Sequence, residues 1–239
     1  MIELYTGFVG SGKSYHAVAR GTIIADAPAG KRWVVANFPI KPKRKFLSKV
    51  PFFNKWAKEK YNKPRWIYKN NEELTVDFLV KTSRTMGWYG QESQALLIFD
   101  EAGIPFNSRE WSSKPKDRLK WIEFLSQSRK FGYDVVFIVQ DVRMLDRQIR
   151  SLAEYEVQHK KMNNWFVFKF FPLTVFACVS FWNGMRNMRG TLEMCVYRKS
   201  VADRYDTLRL FGYEEEAAPS GEGGPAPAGG SLPEGVASS

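Results

Sequence analysis

Three short runs stand out in the hydrophobic pattern: Trp33-Val34-Val35-Ala36, Ala95-Leu96-Leu97-Ile98-Phe99 and Val135-Val136-Phe137-Ile138-Val139. A strand with one face in water alternates apolar and polar positions, so unbroken apolarity marks strands covered on both faces of a mainly parallel sheet. The spacing predicts strands over Lys31 to Phe38, Ala95 to Glu101 and Asp134 to Val139, after a first short strand at residues 2 to 6. Between them the apolar period changes to that of a helix. Tyr15, Val18, Ala19, Thr22 and Ile23 predict a helix from Lys13 to Ala25, stopped by Ala27-Pro28-Ala29-Gly30. Leu74, Val76, Phe78 and Leu79 predict one from Glu72 to Met86, ended by Trp88-Tyr89-Gly90. Leu119, Ile122, Phe124 and Leu125 predict one from Arg118 to Lys130, with Gly132 as its stop. Val142, Leu145, Ile149 and Leu152 predict a fourth from Asp141 to Leu152.

Strands alternating with helices predict an α/β fold, a largely parallel central sheet flanked by helices. The later chain reads differently. Trp165 to Trp182 approaches the length of a membrane span, but Lys169 and Pro172 interrupt it and Phe, Val and Thr dominate. Two strands, about 165 to 171 and 175 to 182, are expected there instead of a transmembrane helix. A further strand from Glu193 to Lys199, after a turn at Gly190, completes a small antiparallel β-rich section over residues 154 to 199. Tyr205-Asp206-Thr207 closes the folded part, which makes 1 to 213 one domain.

Charge divides the chain further. From Lys41 to Lys69 eleven Lys/Arg face one acid, Glu59, so this stretch carries most of the chain's net +11. Phe46, Phe52, Phe53, Trp56, Tyr61, Trp66 and Tyr68 are interleaved with it. Three readings of this insertion stay open: a surface for single-stranded nucleic acid, with phosphates neutralised and bases stacked; attraction to anionic lipid headgroups; or an insertion whose aromatics pack while its lysines stay solvated. Residues 214 to 239 hold six glycines, four prolines and five glutamates and no basic residue, which predicts a disordered acidic tail.

The chemistry concentrates where strands end. Gly7-Phe8-Val9-Gly10-Ser11-Gly12-Lys13-Ser14 follows the first strand and reads G-x-x-x-x-G-K-S, a phosphate-binding loop. Glycines let successive N–H groups converge on phosphate oxygens, and the helix starting at Lys13 adds its positive dipole end. Gly7, Gly10, Ser11, Gly12, Lys13, Ser14 and Tyr15 are expected to hold ATP, with Lys13 on the β- and γ-phosphates and Ser14 on Mg²⁺. The strand 95 to 101 ends in two acids. Asp100 is expected beside Ser14 on Mg²⁺, and Glu101 is expected to orient the water that attacks the γ-phosphate. Gln140, at the end of the next strand, is placed to bond that water or the γ-phosphate. Arg129, Arg143, Arg147 and Arg150 are the candidates for an arginine finger acting on a neighbouring subunit. No guanine-reading N-K-x-D pattern occurs, which favours ATP over GTP.

Two cysteines, Cys178 and Cys195, lie in apolar, strand-like runs and read as buried thiols of a reducing compartment. No C-x-x-C or Cys/His cluster along the sequence suggests zinc, and the two histidines, His16 and His159, show no nucleophile pattern.

Gly7 to Tyr15, the strand ending Phe99-Asp100-Glu101-Ala102, the helix ending Ser128-Arg129-Lys130-Phe131-Gly132, the strand ending at Gln140, and the late Tyr197-Arg198-Lys199 and Tyr205-Asp206-Thr207 together resemble the N-terminal domain of zonula occludens toxin. That domain is shared with filamentous-phage assembly ATPases. The resemblance runs over about residues 1 to 211 and is weakest in the basic insertion. It implies a P-loop NTPase in the host bacterial cytoplasm, acting at the inner membrane as an oligomeric, ring-like machine that drives assembly and export of single-stranded DNA phage. Phage coat or assembly proteins and single-stranded DNA are the partners it implies. Family members usually continue through a transmembrane helix, whereas this chain ends in a polar tail, so neither direct anchoring nor toxin activity is expected. The alternative is an adaptor in which ATP binding alone switches docking at residues 41 to 69. Helicase activity is the weaker third reading, for want of a second motor domain.

Overall fold

The computed structural model describes residues 1–27, 30–42, 64–107, 115–162 and 174–205. Its strands are β1 Ile2–Thr6, β2 Trp33–Ala36, β3 Trp66–Tyr68, β4 Ala95–Phe99, β5 Tyr133–Ile138, β6 Tyr155–Lys161, β7 Val175–Trp182 and β8 Met185–Val196. The helices are α1 Lys13–Asp26, α2 Val76–Thr85, α3 Pro115–Ser126, α4 Arg147–Leu152 and α5 Lys199–Ala202. All eight strands form one sheet in the order β3-β2-β4-β5-β1-β6-β7-β8. The pairings from β3 through β6 are parallel, and β6-β7 and β7-β8 are antiparallel.

Alternation along each strand sorts side chains onto two faces. Leu96 and Ile98 of β4 join Tyr5, Val34, Ala36, Val136 and Ile138 against Ala17, Val18 and Ala25 of α1. Ala95, Leu97 and Phe99 join Leu4, Val35, Val135 and Phe137 on the opposite face, under Leu79 of α2, Phe124 and Leu125 of α3 and Ile149 of α4. The result is a helix–sheet–helix sandwich whose central strands β4 and β5 are wholly buried, as unbroken apolarity requires. The C-terminal ends of β1 and β4, which flank β5 in parallel, lie at the same end of this sheet.

Four elements depart from the sequence expectations. Asp141 to Leu152 is not one helix: a 3-10 turn, Val142–Met144, gives way to extended Leu145, and α4 begins afresh at Arg147. Asp146 causes the break. Its buried carboxylate caps α4 by accepting from Gln148 N at 2.8 Å and pairs with Arg118 at 3.1 Å, and its own N–H donates to the Phe106 carbonyl. The last strand spans Met185–Val196, with its turn at Asn183-Gly184, where φ of Gly184 is 80°, so Gly190 lies inside a strand. Lys199 opens a helix instead of closing that strand. Trp66–Tyr68 is the edge strand of the sheet and not part of an insertion, and the Trp66 ring packs on Phe38. The strand expected at 165 to 171, the basic run 43 to 63 and the tail 214 to 239 lie outside the described residues. Among the described residues no helix is long and apolar enough to cross a membrane.

Candidate functional site

The loop from Gly7 to Ser14 leaves the end of β1 and turns into α1, and its three glycines all take positive φ: 138° at Gly7, 75° at Gly10 and 95° at Gly12. The turn is also crowded from outside. A Cβ on Gly7 would sit 2.6 Å from the His159 carbonyl oxygen, and one on Gly12 would sit 2.6 Å from the Phe176 ring. Gly12 therefore caps α1 with no side-chain bond, which leaves the first N–H groups of the helix without an internal acceptor. Ser11 Oγ lies within the curve of the loop, buried and with no hydrogen-bond partner among the described residues. Lys13 Nζ folds back to donate to the carbonyls of Gly7 at 2.8 Å and Phe8 at 3.0 Å. Burial lowers the Lys13 pKa, opposed by the negative charge of Asp100 and Glu101 nearby.

Opposite the loop, β4 delivers its two acids. Ser14 Oγ donates to Asp100 Oδ1 at 3.1 Å, a contact across 86 positions that sequence spacing alone had to suppose. Asp100 is 3 % exposed and held on every side. Its N–H donates to Asn37 Oδ1 and its carbonyl accepts from Asn37 Nδ2, both at 2.8 Å. The Tyr205 hydroxyl donates to Asp100 Oδ2 at 2.6 Å. Burial, then the adjoining Asp100 charge, drives the Tyr205 pKa above the tyrosine range. Neither Asn37 nor Tyr205 was assigned a site role from the sequence. Asn37 carried a usable signal, a lone amide where a buried strand leaves the sheet beside Ala36 and Phe38.

Glu101 is exposed and sits at φ 50°, its N–H tied to Asp100 Oδ1 at 3.0 Å. Partial burial and Asp100 raise its pKa, and Lys13 lowers it. Gln140 is also exposed, and its carbonyl accepts from Gly7 N at 3.4 Å, which puts it beside the start of the loop. Gly7, Gly10, Ser11, Gly12, Lys13, Ser14, Asp100, Glu101 and Gln140 thus share one end of the sheet. Tyr15 turns elsewhere: its hydroxyl donates to the Val196 carbonyl at 3.1 Å and accepts from Arg198 N at 2.8 Å, and its ring lies on Phe176 and Tyr197. Of the candidate arginines, Arg129 pairs with Glu154 at 2.7 Å and Arg143 lies 3.5 Å from Asp141.

The donors fit a nucleotide phosphate. A run of glycines with left-handed backbone, uncapped helix N–H groups, an unpartnered buried hydroxyl and a lysine resting on loop carbonyls offer several convergent N–H and O–H groups and one positive charge. Ser14 and Asp100 together supply the hard oxygen ligands that Mg²⁺ prefers.

The family model described as Zonular occludens toxin (Zot) matches residues 1–206. The gene 1 protein of Salmonella phage IKe is 30% identical over 163 residues, which cover 68% of this chain and 40% of that protein. The gene 1 protein of Enterobacteria phage M13 is 29% identical over 163 residues, covering 68% of this chain and 42% of that protein. The chain thus spans about two fifths of the length of these curated relatives. Among solved structures, the N-terminal domain of zonular occludens toxin from Neisseria meningitidis aligns with a TM-score of 0.49 at 20% identity, covering 86% of this chain and 98% of that one. The genome packaging NTPase B204 from Sulfolobus turreted icosahedral virus 2, in complex with ATP-gammaS, aligns with a TM-score of 0.46 at 17% identity, covering 81% and 95%.

Proposed function

The chain belongs to the Zonular occludens toxin (Zot) family, and from that premise we propose that it is an ATP-hydrolysing motor for assembly and export of filamentous, single-stranded DNA phage at the inner membrane of the host. The observation that carries the reading is the 3.1 Å bond from Ser14 to Asp100, because it closes the phosphate loop against the acid-tipped strand. The phage gene 1 proteins among its relatives support the phage setting. The P-loop ATPase domain is assigned to residues 1 to 213 and the acidic tail to 214 to 239.

In this reading the N–H groups of the loop and the Ser11 hydroxyl bind phosphate oxygens, and Gly7, Gly10 and Gly12 allow the close approach. Lys13 leaves the Gly7 and Phe8 carbonyls for the β- and γ-phosphates. Ser14 and Asp100 would hold Mg²⁺, which when bound with nucleotide would supply positive charge to neutralise that developing on the phosphate oxygens. Glu101 accepts the proton of the attacking water at its carboxylate, and Gln140 orients that water. Tyr15 braces the start of α1 against β7 and β8 from behind the loop. Phosphoryl transfer needs positioning and charge more than covalent help, and this arrangement supplies both. A ring of copies supplies the arginine in trans.

The test is steady-state phosphate release from ATP with Mg²⁺, compared between the native chain and Lys13→Ala. Loss of turnover with an unchanged melting temperature supports the assignment. Equal turnover would remove this loop from the reaction.

A further inference from the structure

Behind the phosphate loop, on the far side from Asp100, three groups widely separated in sequence come together. His16 of α1, His159 of β6 and Cys178 of β7 offer ligand atoms that all lie within 4.8 Å of one another. His159 and Cys178 are 4 % and 1 % exposed. No sequence spacing announces this cluster, because α1 and two strands that pair antiparallel assemble it: His159 and Cys178 are direct register partners.

We infer that His16, His159 and Cys178 form a binding site for one zinc ion. Each is a ligand type that zinc takes, and a set of two imidazoles and one thiolate leaves a fourth tetrahedral position. The hydrogen bonds around the rings fix how they would bind. His159 Nδ1 lies 3.0 Å from the Val157 carbonyl and 3.3 Å from the Thr6 carbonyl, so Nδ1 carries the proton and Nε2 presents its lone pair inward. That Nε2 is 2.9 Å from His16 Nδ1. Zinc between them displaces the proton of this bond to His16 Nε2, which already has the Glu193 carboxylate 3.9 Å away. His159 on a backbone carbonyl and His16 on a carboxylate are the outer partners that zinc-bound imidazoles ordinarily have. Two zinc–nitrogen bonds of ordinary length at a tetrahedral angle set the nitrogens about 3.4 Å apart, so the rings need to separate by only about half an ångström.

Metal entry has a route. A cavity of about 400 Å³ is lined by His16, Cys178 and Glu193, together with Glu3, Tyr5 and Arg20. On ligation the Cys178 S–H bond breaks, a zinc–sulfur bond forms and the proton leaves through this cavity to solvent.

The position gives the ion a consequence for the loop. His159 touches the Thr6 carbonyl through its ring and blocks Gly7 with its own carbonyl, and His16 is the third residue after Lys13. Zinc would tie the entrance and exit of the phosphate loop to the antiparallel edge of the sheet. The inference does not depend on ATP turnover.

The test uses the untagged full-length chain, stripped with a chelator and titrated with Co²⁺ as a spectroscopic stand-in for zinc. One equivalent should produce a thiolate-to-cobalt charge-transfer band and intense visible bands of tetrahedral cobalt, both abolished by one equivalent of zinc. Cys178→Ser should lose the charge-transfer band. His16→Ala should weaken zinc by more than the roughly 10- to 100-fold that loss of an outer partner costs. Ser14→Ala, at the separate Mg²⁺ site, should leave the spectrum intact. Absence of a thiolate band in the native chain would overturn the inference whatever the variants do. So would a band that survives in a folded Cys178→Ser, since the sulfur would then come from Cys195.

Discussion

The Tyr205 hydroxyl reaches 105 positions back along the chain to donate to Asp100 Oδ2 at 2.6 Å, so the last described turn of the fold sets the orientation of the acid that faces the phosphate loop. Ser14 holds the other carboxylate oxygen. Ser14 and the Glu101 N–H hold Oδ1 and Tyr205 holds Oδ2, so the rotation of the Asp100 carboxylate is fixed from both oxygens, and removing Tyr205 takes away the donor on Oδ2.

Tyr205→Phe keeps the ring on Phe38, 4.9 Å away edge to face, and deletes only the hydroxyl. Stability should fall by about 1.5–3 kcal/mol, the worth of a hydrogen bond to a charged group. The Mg²⁺ concentration for half-maximal ATP turnover should shift several-fold. Thermal melts and a Mg²⁺ titration check both parts, and an unchanged titration would reduce Tyr205 to packing.

Asn37→Ala should cost more, about 1–3 kcal/mol for each of two groups, because it strands the buried N–H and carbonyl of Asp100 together. Chemical denaturation measures this directly. A loss no larger than that of Tyr205→Phe would mean that water replaces the amide.

Gly7→Ala and Gly10→Ala separate two costs. Gly10 has φ 75° and nothing within 4 Å of a new Cβ, so the substitution should cost about 1–2 kcal/mol of backbone strain. Gly7 adds a 2.6 Å clash with the His159 backbone carbonyl, which no side-chain rotation relieves. Gly7→Ala should therefore be clearly the less stable protein in the same denaturation series, and equal losses would show that the β6 backbone moves aside.

Glu101→Gln should bind ATP with near-native affinity and lose about 10²- to 10⁴-fold in turnover, the usual contribution of a general base. Equilibrium binding of a fluorescent ATP analogue, paired with phosphate release, distinguishes this from a structural role. Loss of binding would make Glu101 part of the scaffold.

Local signals made the parallel half of the fold legible. The buried runs at 33–36, 95–99 and 135–138 became central strands because continuous apolarity has few other uses, and the glycine pattern located the loop. The failures come from long-range pairing. β6 reads Tyr-Glu-Val-Gln-His-Lys-Lys, too polar to announce itself, and becomes a strand because it pairs with β1 on one side and β7 on the other. The helix expected at 141 to 152 breaks because Asp146 is buried against Arg118 and Phe106, partners that the local period does not reveal. At the site, Lys13, Ser14 and Asp100 followed from motif logic, whereas Asn37 and Tyr205 act only through contacts closed by the fold. His16, His159 and Cys178 escaped notice for the same reason, and the apparent lack of a Cys/His cluster in the sequence is corrected by three elements meeting in space.

The most direct measurement is ATP turnover by the purified full-length chain with Mg²⁺, alone and with single-stranded DNA, double-stranded DNA or anionic vesicles added separately. The account predicts phosphate release that rises on adding single-stranded DNA or vesicles and vanishes in Lys13→Ala. Clear nucleotide binding with no phosphate release in any arm would contradict the motor and leave an adaptor that ATP switches by binding alone.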